Sequence, residues 1–393
     1  MTDSVAQDFP LYEISGPPQD RGVDYGEQAA DRIALAADLY RGALRHLNAD
    51  TDEVAALAAA FIEQIEDFDA DQAAEIRGIS HGARVPLIDV VLINARRELL
   101  SMAGRLVQPT EADGDECTAA AVLPEASTTG ALFHGQNWDT SPDHARHSLV
   151  LRIRQDDGPD VLTFTEAGAV ARSGLNSAGI AITGNNLISD RDYRQSGVPL
   201  PLIRRKALAT GTYALALSAV YATRKSGSNN MMVSAAEGEI VDIECAPDES
   251  FLLHPDDDGI LTHGNHWESV PALCKLKDVG ATDDPALAAT PCTMFRSHRV
   301  RRKLRAMARS GGVSFERFRE VFLDSFGAPY SVCRPPRPAA IGGGMSATAA
   351  AVVMSPGEGF MDVAPLPALG GRWTRYRVAG GDPEPVGDFG SAT

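Results

Sequence analysis

Residues 114–122 read GDECTAAAV and place Cys117 where a loop meets a strand. A polar, acidic, glycine-containing run leads up to the cysteine, and the small and apolar residues after it are typical of a buried strand. Buried cysteines are most often inert core residues, so this position alone does not make Cys117 functional. The rest of the chain has to decide between a structural and a chemical role.

The bulk composition limits the classes of protein that need to be considered. The chain has five cysteines, odd in number and irregularly spaced, which favours reduced thiols over a disulfide framework. A formal net charge of -17 argues against a nucleic-acid partner, because phosphate backbones repel an acidic surface. We see no secretory signal and no apolar run of about 18 residues, and therefore expect a cytoplasmic protein without a membrane span.

Helices and strands are predicted in different parts of the chain. Residues 24–106 show helical periodicity, whereas short apolar runs broken by Gly, Pro and Asp dominate from residue 107 onward. Three hairpins are predicted, over residues 231–247, 251–267 and 347–367. The second is expected to turn at Asp258-Gly259. Further helices are predicted within residues 198–225 and 295–310. This order predicts an α+β fold in which helices cover antiparallel sheets.

A nucleophilic cysteine must be activated, and the sequence offers two ways to do this. The run LTHGNHW at residues 261–267 supplies His263 as a base, with Asn265 on the same face of a strand. Alternatively, cleavage of the bond before Cys117 would make its own α-amine the base. With a reference pKa of about 7.7–8.0, that amine can accept a thiol proton near neutral pH.

Six runs occur in a consistent order through most of residues 115–305: CTAAAVLPE, LFHGQNWD, GLNSAGIAITGNNL, SGSNNMMVSAAEGEIVDIECAP, LTHGNHW and TMFRSHRVRRKL. Together they resemble the acyl-coenzyme A:6-aminopenicillanic acid acyltransferase family (peptidase family C45), a group of N-terminal nucleophile hydrolases. Members are made as inactive precursors that cleave themselves immediately before a cysteine. Bile-salt-hydrolase and acid-ceramidase families share this strategy, but HGQNWD, NSAGI and HGNH resemble the acyltransferases more closely.

The resemblance implies a four-layer αββα fold with two antiparallel sheets between helical layers. It also implies self-cleavage at the Glu116-Cys117 bond. Residues 1–116 would form a mostly helical α chain that stays bound to the catalytic β chain, residues 117–393, in one globular unit. The fungal acyltransferase has glycine before its cysteine where this chain has Glu116, which changes what fills the precursor site.

Site residues follow from the same resemblance. Cys117 matches the nucleophile, and Asp139 matches an aspartate that steers the cysteine amine and the substrate. Asn265 matches an asparagine whose side-chain amide stabilises the oxyanion. Arg296 aligns with the first arginine of an S-x-x-R-x-x-R pattern in which Thr293 replaces the serine here, and it is expected to bind substrate.

Two further residues are expected to contact substrate, namely Trp138 and His263. A zinc site built from His263, His266, His298 and Cys292 is an alternative, but the spacing does not match a standard zinc motif. No metal and no cofactor are therefore expected. The run HARH at residues 144–147 is predicted to lie at the surface.

The function implied is acyl-enzyme chemistry on a small-molecule amide or acyl thioester, with a coenzyme A thioester as one potential substrate. A pure amidohydrolase of a β-alanyl or N-acyl amine is an alternative within the same class. Outside the class, the alternatives are a single-chain thiol protease that pairs Cys117 with His263, and a non-catalytic binding protein. The expected partners are the substrate and the chain's own N-terminal segment, and a homo-oligomer is compatible with the sequence.

Overall fold

The computed structural model describes residues 8–46, 49–102, 116–277, 292–338 and 344–387. The helices of this part of the chain are α1 (Pro18–Gln28), α2 (Ala30–His46), α3 (Thr51–Phe68), α4 (Ala70–Ala83), α5 (Leu87–Asn94), α6 (Arg96–Met102), α7 (Leu200–Leu208), α8 (Tyr213–Tyr221), α9 (Val270–Lys275), α10 (Cys292–Arg309) and α11 (Phe315–Val321). None of them is both long enough and apolar enough to cross a membrane.

The strands in the described residues are β1 (Leu11–Ile14), β2 (Glu116–Val122), β3 (Phe133–Thr140), β4 (Ser148–Ile153), β5 (Val161–Glu166), β6 (Ser173–Asn176), β7 (Ile180–Asn186), β8 (Asn229–Ala235), β9 (Glu239–Cys245), β10 (Ser250–Leu253), β11 (Ile260–His263), β12 (Arg337–Pro338), β13 (Met345–Ser355), β14 (Phe360–Pro365), β15 (Thr374–Arg377) and β16 (Glu384–Pro385).

These strands form two sheets. Sheet A has the order β1-β4-β5-β6-β7-β8-β9-β10, and sheet B has the order β11-β2-β3-β13-β14-β15-β16, with β12 attached to β13. The pairs within both sheets are antiparallel except for β1 with β4, which is parallel. Strand β2, which carries Cys117, lies between β11 and β3, so ladder hydrogen bonds hold it on both edges.

Buried side chains define four layers. One apolar cluster joins helices α1–α8 to the outer face of sheet A. A second cluster joins α10 and α11 to the outer face of sheet B. Between the sheets, Val150 and Leu162 of sheet A share a cluster with Val352 and Met361 of sheet B. The order helix, sheet, sheet, helix is the αββα arrangement, so the predicted fold class is confirmed.

The alanines after Cys117 illustrate why this sequence forms a doubly buried strand. Side chains alternate between the two faces of a strand. Ala120 accordingly packs toward α10 and α11, whereas Ala119 and Ala121 pack between the sheets. Small side chains let both layers approach β2 closely. The cysteine shares the inter-sheet face with Ala119 and Ala121, and its side chain is buried there.

Helices α1 and α4 make unusually close contact through glycines. A Cβ atom on Gly22 would lie 2.2 Å from the carbonyl oxygen of Glu75, and one on Gly82 would lie 2.1 Å from that of Val23. No larger residue fits at these positions. The same contact places the carboxylate of Glu75, which is fully buried, against Arg21 and Arg205 at 2.6 and 2.9 Å.

Two of the three predicted hairpins are confirmed. Strands β8 and β9 pair across the turn at residues 236–238, and β13 and β14 pair across residues 356–359. The hairpin predicted over residues 251–267 is wrong. The chain does turn before Gly259, which has a φ of 75°, but β10 belongs to sheet A and β11 to sheet B. This segment therefore crosses between the layers and delivers β11 to the edge of β2.

Candidate active site

The backbone of Cys117 is held on both sides by residues that the sequence analysis predicted to be functional. Its N–H donates to Asn265 Oδ1 at 2.6 Å, and its carbonyl oxygen accepts from Arg296 Nη1 at 2.7 Å. The register of β11 against β2 explains the first contact. His263 pairs with Ala119 in an antiparallel ladder, so the chain beyond it carries Asn265 to the level of Cys117.

Asn265 acts toward Cys117 as an acceptor. Its Oδ1 also accepts from Arg296 Nη2 at 3.1 Å, while its Nδ2 donates to the carbonyl oxygen of Asn186 at 3.0 Å. The backbone N–H of Asn265 donates to Thr293 Oγ1 at 2.6 Å. Thr293, the residue that replaces serine in the S-x-x-R-x-x-R pattern, thus fixes the loop that carries Asn265. The oxyanion role of Asn265 stays a prediction for the cleaved chain.

Arg296 lies at the centre of this framework. Its side chain is fully buried on α10 and also donates to Thr118 Oγ1, and its Nη1 lies 3.7 Å from the carboxylate of Asp139. A buried guanidinium requires such acceptors, because desolvation without them is costly. These contacts link Arg296 to the protein atoms that position Cys117. Substrate binding by Arg296 stays a prediction.

Asp139 is buried on the α10 side of β3. Its carboxylate lies 3.3 Å from Arg334 Nε and accepts from Thr348 Oγ1 at 2.7 Å. Trp138 is the direct partner of Cys117 across the ladder, so the adjacent Asp139 side chain points to the opposite face of sheet B. Sequence reasoning missed Arg334 and Thr348, since both come from the far end of the chain and carry no local motif.

Trp138 faces the space between the sheets, as does Cys117. The guanidinium of Arg172 lies 3.9 Å from the centre of the indole, and the ring of His144 stacks on it at a centroid distance of 5.5 Å. The indole therefore lies beside Cys117, and the positively charged guanidinium of Arg172 covers one of its faces. Contact between Trp138 and substrate stays a prediction.

His263 is placed and charged in a way that disfavours a role as base. Its Nε2 lies 2.8 Å from Glu244 Oε1, and its Nδ1 lies 3.0 Å from the carbonyl oxygen of Gly264. Both partners accept hydrogen bonds, so both ring nitrogens carry a proton. Burial alone would lower the pKa of His263, but Asp242 and the bond to Glu244 outweigh it and raise the pKa to about 10. A cationic imidazole cannot take the proton of Cys117.

A small pocket opens beside Cys117. Helices α5, α6 and α7 form one side of it and strands β2, β5 and β7 the other, and its volume is about 50 Å³. A buried water occupies roughly 10–15 Å³ by this measure, so the pocket has room for a few waters only. Four arginines line it, two from the segment before Cys117 and two from the segment after it: Arg96, Arg97, Arg172 and Arg204.

Among the described residues, one group of three potential metal ligands comes together, formed by His144, His147 and Glu166. All three are buried, so the prediction of a surface HARH run is wrong for its two histidines, whereas Arg146 between them is exposed. Glu166 already faces the guanidinium of Arg96 at 3.6 Å and His147 at 3.3 Å. Although burial opposes it, Arg96 and the histidines hold the pKa of Glu166 well below its usual range. Glu166 therefore already has a cationic partner in Arg96.

Comparison with known proteins finds similarity over this region of the chain. The model of the acyl-coenzyme A:6-aminopenicillanic acid acyl-transferase family matches residues 126–339, which is more than half of the chain. That range includes Asp139, Asn265 and Arg296 and begins just after Cys117. The 40 kDa form of the acyl-coenzyme A:6-aminopenicillanic-acid-acyltransferase of Emericella nidulans is 25% identical over 323 residues, which are 81% of this chain and 83% of that protein.

Solved structures give weaker similarities. A point mutant of the conjugated bile acid hydrolase from Clostridium perfringens is 12% identical, with a TM-score of 0.46, and the match covers 69% of this chain and 96% of that one. Penicillin V acylase from Agrobacterium tumefaciens is also 12% identical, with a TM-score of 0.37 and coverage of 68% and 80%.

Proposed function

Because this chain belongs to the acyl-coenzyme A:6-aminopenicillanic acid acyl-transferase family, we propose that it is a self-processing cysteine hydrolase or acyltransferase of the N-terminal nucleophile type. One observation carries the proposal. The amide N–H of Cys117 donates to the partly buried Asn265 and its carbonyl accepts from the buried Arg296, at the start of a strand beside a pocket. Beyond the end of β11, side chains rather than a neighbouring strand hold these two backbone groups, which supports a site built around Cys117.

In the first stage, Cys117 Sγ attacks the carbonyl carbon of Glu116. The bond from that carbon to the Cys117 nitrogen breaks, the nitrogen takes up the thiol proton, and a thioester remains. Water then hydrolyses the thioester to a carboxylate on Glu116 and a free thiol on Cys117, which now begins a chain. Asn265 and Arg296 would contribute by fixing the peptide groups on either side of the Cys117 Cα.

In the second stage, the α-amine of Cys117 accepts the thiol proton and the thiolate attacks an amide or thioester carbonyl. The acyl group forms a thioester with Cys117 as the amine or thiol leaves, and water or an acceptor amine then releases it. Asp139 is proposed to steer the new amine. The Nδ2 of Asn265 would leave Asn186 and donate to the oxyanion, where one such donor is worth about 3–4 kcal/mol of barrier.

The proposed substrate is a small amide or acyl thioester, and no cofactor is required for this chemistry. A coenzyme A thioester is proposed as one potential acyl donor. Hydrolysis of a β-alanyl or other N-acyl amine is the second candidate within the class. Both need the same acyl-enzyme on Cys117 and differ only in whether water or an amine resolves it. The segment before Cys117 is proposed to stay bound after cleavage, in a cytoplasmic protein.

Intact mass of the denatured protein tests the first stage. The wild-type chain is expected to give two fragments, residues 1–116 and 117–393, whose masses sum to that of the chain plus one water. Cys117→Ala is expected to give a single chain. The same wild-type sample should hydrolyse an activated amide, whereas the Cys117→Ala sample should not.

Cys245→Ala is the matched control, because Cys245 is equally buried on β9 but lies outside the pocket. This variant should still cleave, which separates loss of the nucleophile from loss of a core thiol. A wild-type chain that stays intact and yet turns over the amide would refute self-processing. It would instead favour a single-chain thiol mechanism, even though His263 is charged.

A further inference from the structure

Arg204 is the least expected side chain in the pocket beside Cys117. It lies on α7, is 5% exposed, and its Nε has no hydrogen-bond partner. Within the described residues, no carboxylate pairs with it. Its neighbour Arg205 points elsewhere and pairs with Glu75. Burying a guanidinium without an anion is costly, so a buried Arg204 beside Cys117 favours a site for an anionic group.

The other charges around the pocket reinforce this interpretation. The side chain of Arg172 lies over Trp138, and Arg97 donates to Asn186 Oδ1. Burial, and after it the positive charge of Arg172, lower the pKa of Arg204 to about 9. An anion bound between these two guanidiniums would relieve their repulsion.

The two carboxylates of the pocket do not supply this anion. Glu166 faces Arg96 and His147 at 3.6 and 3.3 Å. Burial raises the pKa of Glu98, while Arg97 and Arg96 oppose that shift. Four arginines therefore face two carboxylates, which leaves surplus positive charge next to Cys117.

We propose that this pocket selects substrates that carry a carboxylate, and that Arg204, supported by Arg172, binds that carboxylate while Cys117 attacks the neighbouring carbonyl. This inference names the substrate class of the site and rests on the proposed function for its catalytic meaning. The competing explanation is that Arg204 serves only the negative charge that develops on sulfur or on the oxyanion. The two explanations differ in whether an anionic reagent is preferred over a neutral one of the same shape.

Alkylation of Cys117 makes that comparison directly. The rates of modification by iodoacetate and by iodoacetamide are measured by peptide mass spectrometry, with the exposed Cys274 of the same molecule as internal reference. In the wild type, the ratio of the two rates at Cys117 should exceed the ratio at Cys274 by about tenfold or more, as expected for a charge pair in a partly desolvated site. Arg204→Met should bring the two ratios together, and Arg204→Lys should restore part of the preference.

Arg77→Met is the matched control, because Arg77 lies at the surface of α4 and pairs with Glu66. It should leave the ratio unchanged. If Arg204→Met slows both reagents equally, or if the wild-type ratios at Cys117 and Cys274 agree, the proposal is overturned. A second experiment uses the wild type alone, so its result does not depend on whether a variant folds. Butyrate should protect Cys117 from iodoacetamide at concentrations where butyramide does not, and equal protection would also overturn the proposal.

The outcome is separable from that of the proposed function. An uncut chain that nevertheless shows the anion preference at Cys117 defeats self-processing and leaves the carboxylate site standing. A chain that cuts before Cys117 but shows no preference defeats the carboxylate site alone.

Discussion

Substitution of Asn265 separates two roles that one side chain is proposed to play. Asn265 Oδ1 accepts from Cys117 N at 2.6 Å and from Arg296 Nη2 at 3.1 Å, and Nδ2 donates to the carbonyl of Asn186 at 3.0 Å. Asn265→Ala removes all three bonds. Asn265→Asp keeps both acceptor contacts and loses only the donor.

The lost hydrogen bonds determine how much each substitution should slow cleavage and turnover. Neutral hydrogen bonds contribute about 1 kcal/mol each and a bond to a charged donor about 1.5–3, so Asn265→Ala should lose roughly 3–5 kcal/mol of positioning. If that loss falls on the cleavage step, cleavage slows by at least about a hundredfold. Asn265→Asp should lose about 1 kcal/mol and cleave within about tenfold of wild type. After cleavage, it lacks the proposed oxyanion donor and should turn over about 10²–10³ more slowly.

The assay follows cleavage by intact mass at fixed times after synthesis and then measures hydrolysis of an activated amide per cleaved chain. Denaturation midpoints establish that each variant is folded. A folded Asn265→Asp chain that stays intact would refute the acceptor role toward Cys117. A cleaved Asn265→Asp chain with wild-type turnover would refute the oxyanion role.

Two further predictions concern stability. Glu75→Gln should lower the free energy of unfolding by about 3–5 kcal/mol, because it leaves Arg21 and Arg205 without their buried carboxylate, and chemical denaturation measures this. Asp242 and Glu244 raise the pKa of His263 from 6.5 to about 10 against the effect of burial, so its charge stabilises the fold fully below about pH 6.5 and progressively less as pH approaches 10. The difference in unfolding free energy between wild type and His263→Asn should therefore shrink between those pH values.

Matched variants make both results interpretable. Glu66→Gln removes a carboxylate that also pairs with an arginine, Arg77, but this pair is at the surface and should contribute less than about 1 kcal/mol. An equal loss from Glu66→Gln and Glu75→Gln would contradict the argument from burial. A constant difference between wild type and His263→Asn from neutral to alkaline pH would contradict the charged state of His263.

The sequence predicted the residues around Cys117 better than it predicted their geometry. Cys117, Asn265 and Arg296 do contact one another, because β11 carries the HGNH run to β2 and α10 packs across it. The sequence could not decide whether the oxygen or the nitrogen of the Asn265 amide faces Cys117. That choice depends on Arg296 and Asn186, which lie far apart in the chain.

The direction of some side chains and the pairing of some strands could not be predicted from neighbouring residues in the sequence. Arg204 and Arg205 are adjacent in a helical run, yet one lines the pocket and the other pairs with Glu75, since neighbouring helical residues point about 100° apart. The turn before Gly259 is recognisable from the sequence, but turn chemistry cannot tell whether the flanking strands pair or enter different sheets. Strand β1 has only four residues, too few for a clear alternating pattern.

The parallel pairing of β1 with β4 gives cleavage before Cys117 a lasting consequence. Leu11 pairs with Val150, so the cut lies within the connection between two hydrogen-bonded strands and breaks none of their bonds. The folded protein would be unchanged, but its denatured state would be two separate molecules. Refolding would then depend on protein concentration and include the entropic cost of association, whereas the precursor folds as one chain. A processed protein of this kind would persist through a high barrier to unfolding rather than through reversible folding.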